Sequence, residues 1–586
     1  MAFDGFTLAA ALAEVQDLEG GKIQKIQETE QSGEFVLSIY QAPKVARLLI
    51  STDPKAARLH LTKRRFRHPR APSHFCMTLR KHLQGTVLRR ARQVGLDRVA
   101  ILSVDAFDDL GHQRKLSLIA ETMDRFSNLI LIANDDDDKI LAAERFAPPG
   151  RNAFRSVLPG HPYHLPPQKD TVHPAEVNRD VLKSADSDMP AWRWIVQHIA
   201  GPGPDLAHQL LEQVGVTPTD PLPTEDDILE RLTARFHDFG RRLAEKGWCP
   251  WITYTRARNG RLALPYPSAF GVFPTVEGPK RTFRRVSTML DAYFALMEKH
   301  REFENLQQDL RRQLKQQEKG IDRRLHKQKR DFARTRQAEK FRRFGELLTT
   351  FMHQIPGKAT SVTLPDYYQE NKPVEIPLDP RRSPSNNAAH YFHEYRRMQR
   401  TMIKARRQIQ RSRRALRYVQ SLLHQLDQAE TLEELKETQE EAEAEGLLRK
   451  SKTNGRARPA KSASRPRYRT RRLANGLTLN IGRNNRSNDY LTMKRAKDDD
   501  LWFHVKDLPG SHVILPGPWS EANWPDAKTL EEAAQWAAYY SAAHQSANVP
   551  VDYTKVKHVT KPKGAKPGMV NYRHHKTLYV TPPNRV

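Results

Sequence analysis

Hydrophobic positions change their spacing several times along the chain, and each change marks a change of element. Over residues 1–174 the apolar residues fall in short runs bounded by turns, at 36–40, 46–51, 99–104, 116–120 and 129–133. Runs of that length predict β-strands. Between them, 73–83 places Phe75, Leu79 and Leu83 at a spacing of four, which predicts a helix with one apolar face. An α/β domain is expected, with the aspartates 135–138 as a solvated turn between two strands.

Residues 175–245 change character and predict helices at 191–200, 205–214 and 225–239. The first two are separated by Gly201-Pro202-Gly203-Pro204. Glycines in a tight hairpin bring backbone amides close enough to hold a phosphate, the logic of a helix-hairpin-helix module. Gly-Pro turns also simply end helices. Residues 248–280 return to strand-like, turn-rich composition and are expected to rejoin the first domain.

Residues 281–448 predict two long helical arms. In the first, Phe303, Leu306, Leu310, Leu314, Ile321, Leu325 and Phe332 share a face. In the second, a seam runs from Tyr395 through Met398, Met402, Ala405, Ile409, Ser412, Leu416, Val419 and Leu423 to Leu426. Spacings of three and four sustained this long predict a coiled coil. Six prolines within 356–388 forbid a continuous helix there. The arms are therefore expected to fold back as an antiparallel pair around a small tip. Residues 449–467 mix Lys and Arg with Ser, Gly and Pro, a linker composition. Residues 468–586 form a last α/β domain, with strands at 478–481 and 578–580 and a helix at 530–544. The fold class is thus α+β and multidomain.

Composition adds a partner class. The chain has 586 residues, 97 Lys and Arg against 68 Asp and Glu, and a formal net charge of +29. Such a charge points to a polyanion. Its distribution sharpens the point: ten Lys or Arg and no acid fall between 396 and 417, before an acidic stretch at 430–445. A soluble coiled coil alternates signs, so this cationic segment is expected to lie on RNA through Arg406, Arg407, Arg413 and Arg414. Cys76 and Cys249 are the only cysteines and have no neighbours at metal-ligand spacing, so no metal and no disulfide framework is expected. Met1 to Gly5 lacks the features of a signal peptide. No run reaches the roughly 18 consecutive apolar residues of a membrane span. A cytoplasmic protein without a membrane anchor is expected. No Walker A motif, dinucleotide fingerprint, HExxH or nucleophile elbow occurs, so no catalytic residue and no cofactor is nominated.

The densest chemistry lies near the C-terminus. Asn484-Asn485-Arg486-Ser487-Asn488-Asp489-Tyr490-Leu491-Thr492 is followed by Trp502-Phe503-His504-Val505-Lys506-Asp507 and Pro509-Gly510-Ser511-His512-Val513. Amide, cationic, imidazole and aromatic groups around a turn suit phosphate and base recognition. Asn485, Arg486, Asn488, His504, Lys506 and His512 are the expected RNA contacts. Trp502 and Phe503, at strand spacing, are expected to be largely structural. Upstream, Arg80 and Lys81 on the 73–83 helix are further cationic candidates, against the plainer reading of a solvated face. Cys76 on the same helix is expected to be a packed small hydrophobe.

These motifs, with Val551-Asp552-Tyr553-Thr554-Lys555 and Lys566-Pro567-Gly568-Met569-Val570, resemble the RNA-binding domain of NFACT proteins. Phe3-Asp4-Gly5, Leu79-Arg80-Lys81-His82-Leu83 and Asp97-Arg98 resemble the N-terminal part of that family, and Asn386-Asn387-Ala388-Ala389-His390 the start of its second arm. The resemblance spans essentially the whole chain in order. It implies a glycosylase-like N-terminal fold and a factor of ribosome-associated quality control. Such a factor binds large ribosomal subunits blocked by peptidyl-tRNA, recruits alanyl-tRNA and directs untemplated alanine addition. The peptide bond is made by the ribosome, so the factor is not itself an enzyme. A small ribosome-associated helper protein is implied as well.

The resemblance also assigns tRNA-binding candidates. Asp97 and Arg98 stand at the family's Asp-Arg pair, and Asp4 at a second acidic position. Glu121, Arg125 and Asn128 belong to a motif that usually reads Glu-x-Met-Gly-Arg-His-Ser-Asn. This chain departs from it with Asp124 for glycine and Phe126 for histidine. Two rival readings are weaker. A DNA-acting glycosylase would use an N-terminal proline and a cysteine zinc finger, whereas position 2 is Ala2 and no four-cysteine cluster exists. A fibronectin-binding adhesin would need a route to the cell surface.

Overall fold

The computed structural model describes residues 3–107, 111–148, 155–255, 265–276, 278–449 and 466–583. They form two compact units, one up to Arg301 and one from Glu302 onward.

The first unit opens with α1 (Gly5–Gln16). Its sequence is apolar around almost the whole circumference, so it buries most of its residues, among them Phe6, Leu8, Leu12 and Val15. Nine antiparallel strands follow, interrupted by one helix. They are β1 (Lys22–Glu28), β2 (Glu34–Gln41), β3 (Lys44–Ser51), β4 (Arg58–Leu61), then α2 (His74–Leu83). After α2 come β5 (Val87–Gln93), β6 (Val99–Phe107), β7 (Gln113–Glu121), β8 (Asn128–Ala133) and β9 (Lys139–Ala143). The sheet order is β4-β3-β2-β1-β5-β6-β7-β8-β9. The five apolar runs of the sequence fall inside β2, β3, β6, β7 and β8. The helix expected at 73–83 is α2, with Ser73 as its N-cap accepting from the Cys76 amide at 3.2 Å. Cys76 is fully buried on its apolar face.

Helices α3 (Arg179–Lys183), α4 (Ala191–His198), α5 (Pro204–Gln213) and α6 (Asp226–Glu245) come next. A three-stranded sheet of β10 (Trp251–Thr255), β11 (Tyr266–Gly271) and β12 (Lys280–Thr282) follows. Phe270, Phe273, Phe236 and Phe239 join the same core as α1. Helix α7 (Val286–Arg334) starts in this unit. Its first turns are tied to β4: Asp291 bonds His60 at 3.1 Å and Thr62 at 2.7 Å. The buried Arg58 pairs with Glu34 at 2.7 Å.

In the second unit α7 continues and runs antiparallel to α9 (Pro384–Gln428). Gln307 Nε2 donates to the Leu426 carbonyl, Gln420 to Glu318, and Ser412 to Gln328. Between them lie α8 (Ala338–Thr350) and a hairpin of β13 (Ser361–Asp366) and β14 (Lys372–Pro377). The seam expected on α9 is buried at Ala405, Ile409, Ser412, Val419, Leu423 and Leu426, but Met402 is exposed. Tyr418 and Leu422, off that seam, are fully buried because α10 (Leu432–Ala444) adds a second partner face.

The last part of the chain is a six-stranded sheet, with order β15-β16-β18-β17-β19-β22. Its strands are β15 (Tyr468–Arg472), β16 (Thr478–Gly482), β17 (Leu501–Val505), β18 (Val513–Leu515), β19 (Val549–Lys555) and β22 (Lys576–Val580). The short strands β20 (Val559–Thr560) and β21 (Asn571–Tyr572) pair separately. A short helix α11 (Asn485–Tyr490) and a π-helical turn, Leu491–Arg495, follow β16. Helix α12 (Ala527–Tyr539) covers one sheet face. It stops before the 544 expected from periodicity, because the chain turns at Tyr540 and Ser541 Oγ donates back to the Ala538 carbonyl at 2.7 Å. Phe503 lies in the core under α12, while Trp502 points to the opposite core with Leu491 and Ile514; both are fully buried, in line with a structural role. The expected linker falls largely on 450–465, outside the described residues.

Candidate nucleic-acid interface

Asp97 and Arg98 occupy the turn between β5 and β6. The turn is shaped by Gly95, whose φ of 53° lies in the left-handed region. Asp97 Oδ1 accepts from the Arg98 amide at 2.7 Å, and the Arg98 carbonyl accepts from the Thr122 amide at 2.9 Å. Both side chains are partly exposed. The guanidinium Nη1 lies 3.4 Å from Asp124 Oδ2. The backbone is therefore pinned while the acceptor and the forked donor stay available, a pairing able to hold a base edge or a phosphate.

Asp4, Gly5 and the Gly-Pro hairpin support this turn. Asp4 is the N-cap of α1: its Oδ1 accepts from the Thr7 amide at 2.9 Å and the Thr7 hydroxyl at 2.8 Å. Its Oδ2 accepts from the Gly203 amide at 3.2 Å. Burial pushes the carboxyl pKa up, opposed by these bonds and by the nearby Arg98 charge. A Cβ on Gly5 would fall on the Leu96 carbonyl, so glycine lets α1 touch the Asp97 turn directly. Gln93 Nε2 bridges the carbonyls of Gly5 and Asp97, 2.8 Å from each. The hairpin read as a phosphate cradle has a different role here. Its Gly203 amide is spent on Asp4, and its Gly201 carbonyl accepts from the Gly5 amide at 3.0 Å. Gly201, at φ 104°, admits the ring of Phe6 where a Cβ would stand.

The 121–128 segment joins the same corner through strand pairing, Val99 with Glu121 and Glu121 with Asn128. Glu121 is fully buried. It accepts two hydrogen bonds from Arg155, at 2.7 and 2.5 Å, and one from the Tyr163 hydroxyl at 2.8 Å. Burial and the neighbouring carboxylate together push the Tyr163 pKa strongly up. Asn128 is buried as well, its Oδ1 accepting from the amides of Leu129 and Arg145. Of the three candidates in this motif only Arg125 is exposed, 4.7 Å from the centroid of the exposed Phe126 ring. The structure thus gathers Asp4, Asp97, Arg98, Glu121, Arg125 and Asn128 in one corner, with Asp97, Arg98 and Arg125 facing outward. On α2, Arg80 Nε donates to the Ile26 carbonyl at 2.8 Å, whereas Lys81 is exposed.

In the C-terminal part half of the expected RNA contacts, Asn485, Asn488 and His512, are buried, while Arg486 and His504 are partly exposed. Asn488 Oδ1 accepts from the His512 amide at 3.0 Å, and a Cβ on Gly482 would collide with that oxygen. His512 is buried, with Nδ1 2.7 Å from the Thr492 hydroxyl. Asn485 Nδ2 donates to Glu441 at 2.8 Å and Ser421 at 3.1 Å. Arg486 lies 3.7 Å from Glu440. The carboxylates of α10 thus engage the buried Asn485 and lie beside Arg486, which stays partly exposed. Burial pulls the His512 pKa well below the usual range, and His504, stacked on Trp502, down to about 4. Both imidazoles are neutral at pH 7 and add no positive charge. Lys506 is exposed, as are Arg406, Arg407, Arg413 and Arg414 on α9.

Comparison with known proteins bears on the whole chain. The model of NFACT N-terminal and middle domains matches residues 4–461, and that of the NFACT protein RNA binding domain matches 468–574. The chain belongs to the NFACT family. It is 32% identical over 99% of its length to the Rqc2 homolog RqcH of Bacillus subtilis, covering 98% of that protein. It is 33% identical to the Rqc2 homolog RqcH of Streptococcus suis, again over 99% of this chain and 98% of that one. Among solved structures, the N-terminal part of the fibronectin/fibrinogen-binding protein from Streptococcus suis aligns with a TM-score of 0.41 at 28% identity, over 50% of this chain and 99% of that one.

Asp124 adopts φ 49°, a region that glycine enters freely and that costs other residues about 1 kcal/mol. Its carboxylate lies beside Arg98 and offsets part of that cost. Phe126 presents an exposed ring beside Arg125. Tyr468, Lys494 and Arg495 are not among the candidates read from the sequence, and Tyr490 enters there only as part of the asparagine motif. Their only signal was the mixing of aromatic and basic residues on either side of the asparagine motif.

Proposed function

We propose that this NFACT protein is a ribosome-associated quality-control factor. It binds large ribosomal subunits blocked by peptidyl-tRNA, recruits alanyl-tRNA and directs untemplated addition of alanine to the stalled chain, marking it for degradation. The observation that carries this reading is the end-to-end match with proteins named Rqc2 homolog RqcH, in which neither unit is left unmatched. The geometry supports it through the pinned Asp97-Arg98 turn, whose exposed side chains suit tRNA, and through the cationic face of α9, which suits ribosomal RNA.

The protein acts by position. Holding a charged tRNA near the peptidyl transferase centre raises its effective concentration there, and the ribosome makes the bond. The chain divides into a glycosylase-like domain at 1–174 joined by 248–280, a helix-hairpin-helix module at 175–245, arms at 281–448 with a tip at 356–388, a basic linker at 449–467 and an RNA-binding domain at 468–586. The work is cytoplasmic, with a small ribosome-associated helper protein. Among the described residues no helix is long and apolar enough to cross a membrane.

Gradient sedimentation of cell extracts tests this reading. The protein should travel with free large subunits that carry tRNA. Recovery only with intact ribosomes, or with no ribosomal particle, would count against it.

A further inference from the structure

The asparagines of the motif in the RNA-binding domain are spent on internal bonds, which directs attention to the surface beside them. One open groove stands there, with a volume of about 930 Å³. That is within the range of roughly 300–1,000 Å³ typical of ligand pockets. Arg467, Tyr468, Arg483, Tyr490, Lys494 and Arg495 line it.

Three observations favour a ligand in this groove. Arg467, Lys494 and Arg495 are exposed and make no ion pair among the described residues. Of the nearby carboxylates, Asp489 binds Lys561 and the Gly568 amide, Asp499 binds Lys555, and Glu434 pairs with the lining Arg483, while Asp498 is exposed. Tyr468 rests with one side on the Leu491 and Trp502 core and lines the groove with the rest of its ring; Tyr490 is also half-buried. Finally, Lys494 and Arg495 sit on the π-helical turn, closed by the Ala496 amide donating to the Leu491 carbonyl at 2.8 Å. A π-turn is rare and recurs at functional sites, because its extra residue redirects side chains. Here it buries Leu491 and Thr492 while turning Met493, Lys494 and Arg495 outward.

We infer that this groove binds single-stranded RNA, its cations holding the backbone and its two tyrosines stacking on unpaired bases. Cations without partners beside aromatic faces are the combination by which single strands are held irrespective of sequence. An acidic protein segment would use the charges and leave the rings idle. The Asn484, Asn488 and His512 network then serves as a scaffold: it fixes α11 and the π-turn against β16 and β18 so that the groove keeps its shape. The inference rests on the reading of the chain as an RNA-binding quality-control factor and names the part of that factor which grips unpaired ribosomal or transfer RNA.

The test uses the full chain, a short fluorescent oligouridylate, an RNA duplex and purified large subunits. Lys494→Glu with Arg495→Glu should weaken oligouridylate binding about tenfold or more and flatten the salt dependence by roughly 0.7 in slope for each phosphate that is no longer neutralised. Tyr490→Leu should weaken the single strand about tenfold and leave the duplex unchanged, since only unpaired bases stack. Tyr490→Phe keeps the ring and should bind like the parent, which separates stacking from loss of fold. An unchanged preference for single strand over duplex in Tyr490→Leu overturns the inference. So does equal competition by polyglutamate with no effect of the tyrosine change. If the variants are inert while the parent still binds large subunits, the groove falls and the proposed function stands. If they act as described while the parent binds no subunit, the groove stands and the function falls.

Discussion

The Asp97→Ala/Arg98→Ala variant is expected to stop alanine tailing, with a loss of roughly a hundredfold or more, while large-subunit binding and thermal stability stay near those of the parent. The reason is local. The turn is held by Gly95, by the Thr122 amide on the Arg98 carbonyl, and by Gln93 bridging the carbonyls of Gly5 and Asp97, none of which involves the two side chains removed. What the variant lacks is one acceptor, which also takes the Arg98 amide at 2.7 Å, and one forked donor with a 3.4 Å contact to Asp124; both are partly exposed. Two polar contacts worth about 1–3 kcal/mol each combine to a hundredfold effect. Mass spectrometry of stalled nascent chains reads the tails directly. Unaltered tails would make the pair a surface ornament of the turn.

Glu121→Ala should act in the opposite way, through stability. It leaves Arg155 nine-tenths buried beside Tyr163 with no carboxylate. Breaking a buried pair by removing one partner costs about 3–5 kcal/mol. That is a large share of the roughly 5–15 kcal/mol that holds a domain folded. Urea denaturation of the variant should show an early transition of the first unit, and tailing should fall with the folded fraction. Should Glu121→Ala melt like the parent yet lose tRNA, the carboxylate contacts RNA and its burial has been misread. The two variants therefore divide the corner into groups that meet RNA and groups that hold the surface in place.

How much of this is legible in sequence depends on contrast. The strands at 99–104, 116–120 and 129–133 are readable because their apolar runs end at turns, and α2 because its apolar face alternates with charge. Helix α1 is not, since Gly5–Gln16 has almost no polar face to set the period. Asp4 three residues before Thr7 carries the signature of an N-cap, yet its second oxygen finds Gly203, nearly two hundred residues away, which no local pattern encodes. Asn488 and His512 read as surface groups because their residue types usually are. Their interior place follows from the approach of β16 to β18 and from Gly482, whose missing side chain leaves room for the asparagine. The acidic stretch 430–445 is plain in composition. Its role, holding Arg469, Arg483, Asn484 and Asn485 through Glu434, Glu437 and Glu441, appears only once α10 is set against the last domain. The groove escapes sequence reading for the same reason, because Tyr468 and Tyr490 meet only after β15 pairs with β16.

On the function proposed above, this cationic protein brings transfer RNA to a stalled large subunit. Sequencing the RNA that copurifies with the chain from cells tests it most directly. Large-subunit ribosomal RNA should be recovered together with one strongly enriched tRNA, that for alanine. Transfer RNAs recovered only in their cellular proportions, as with any basic protein of similar charge, would contradict it.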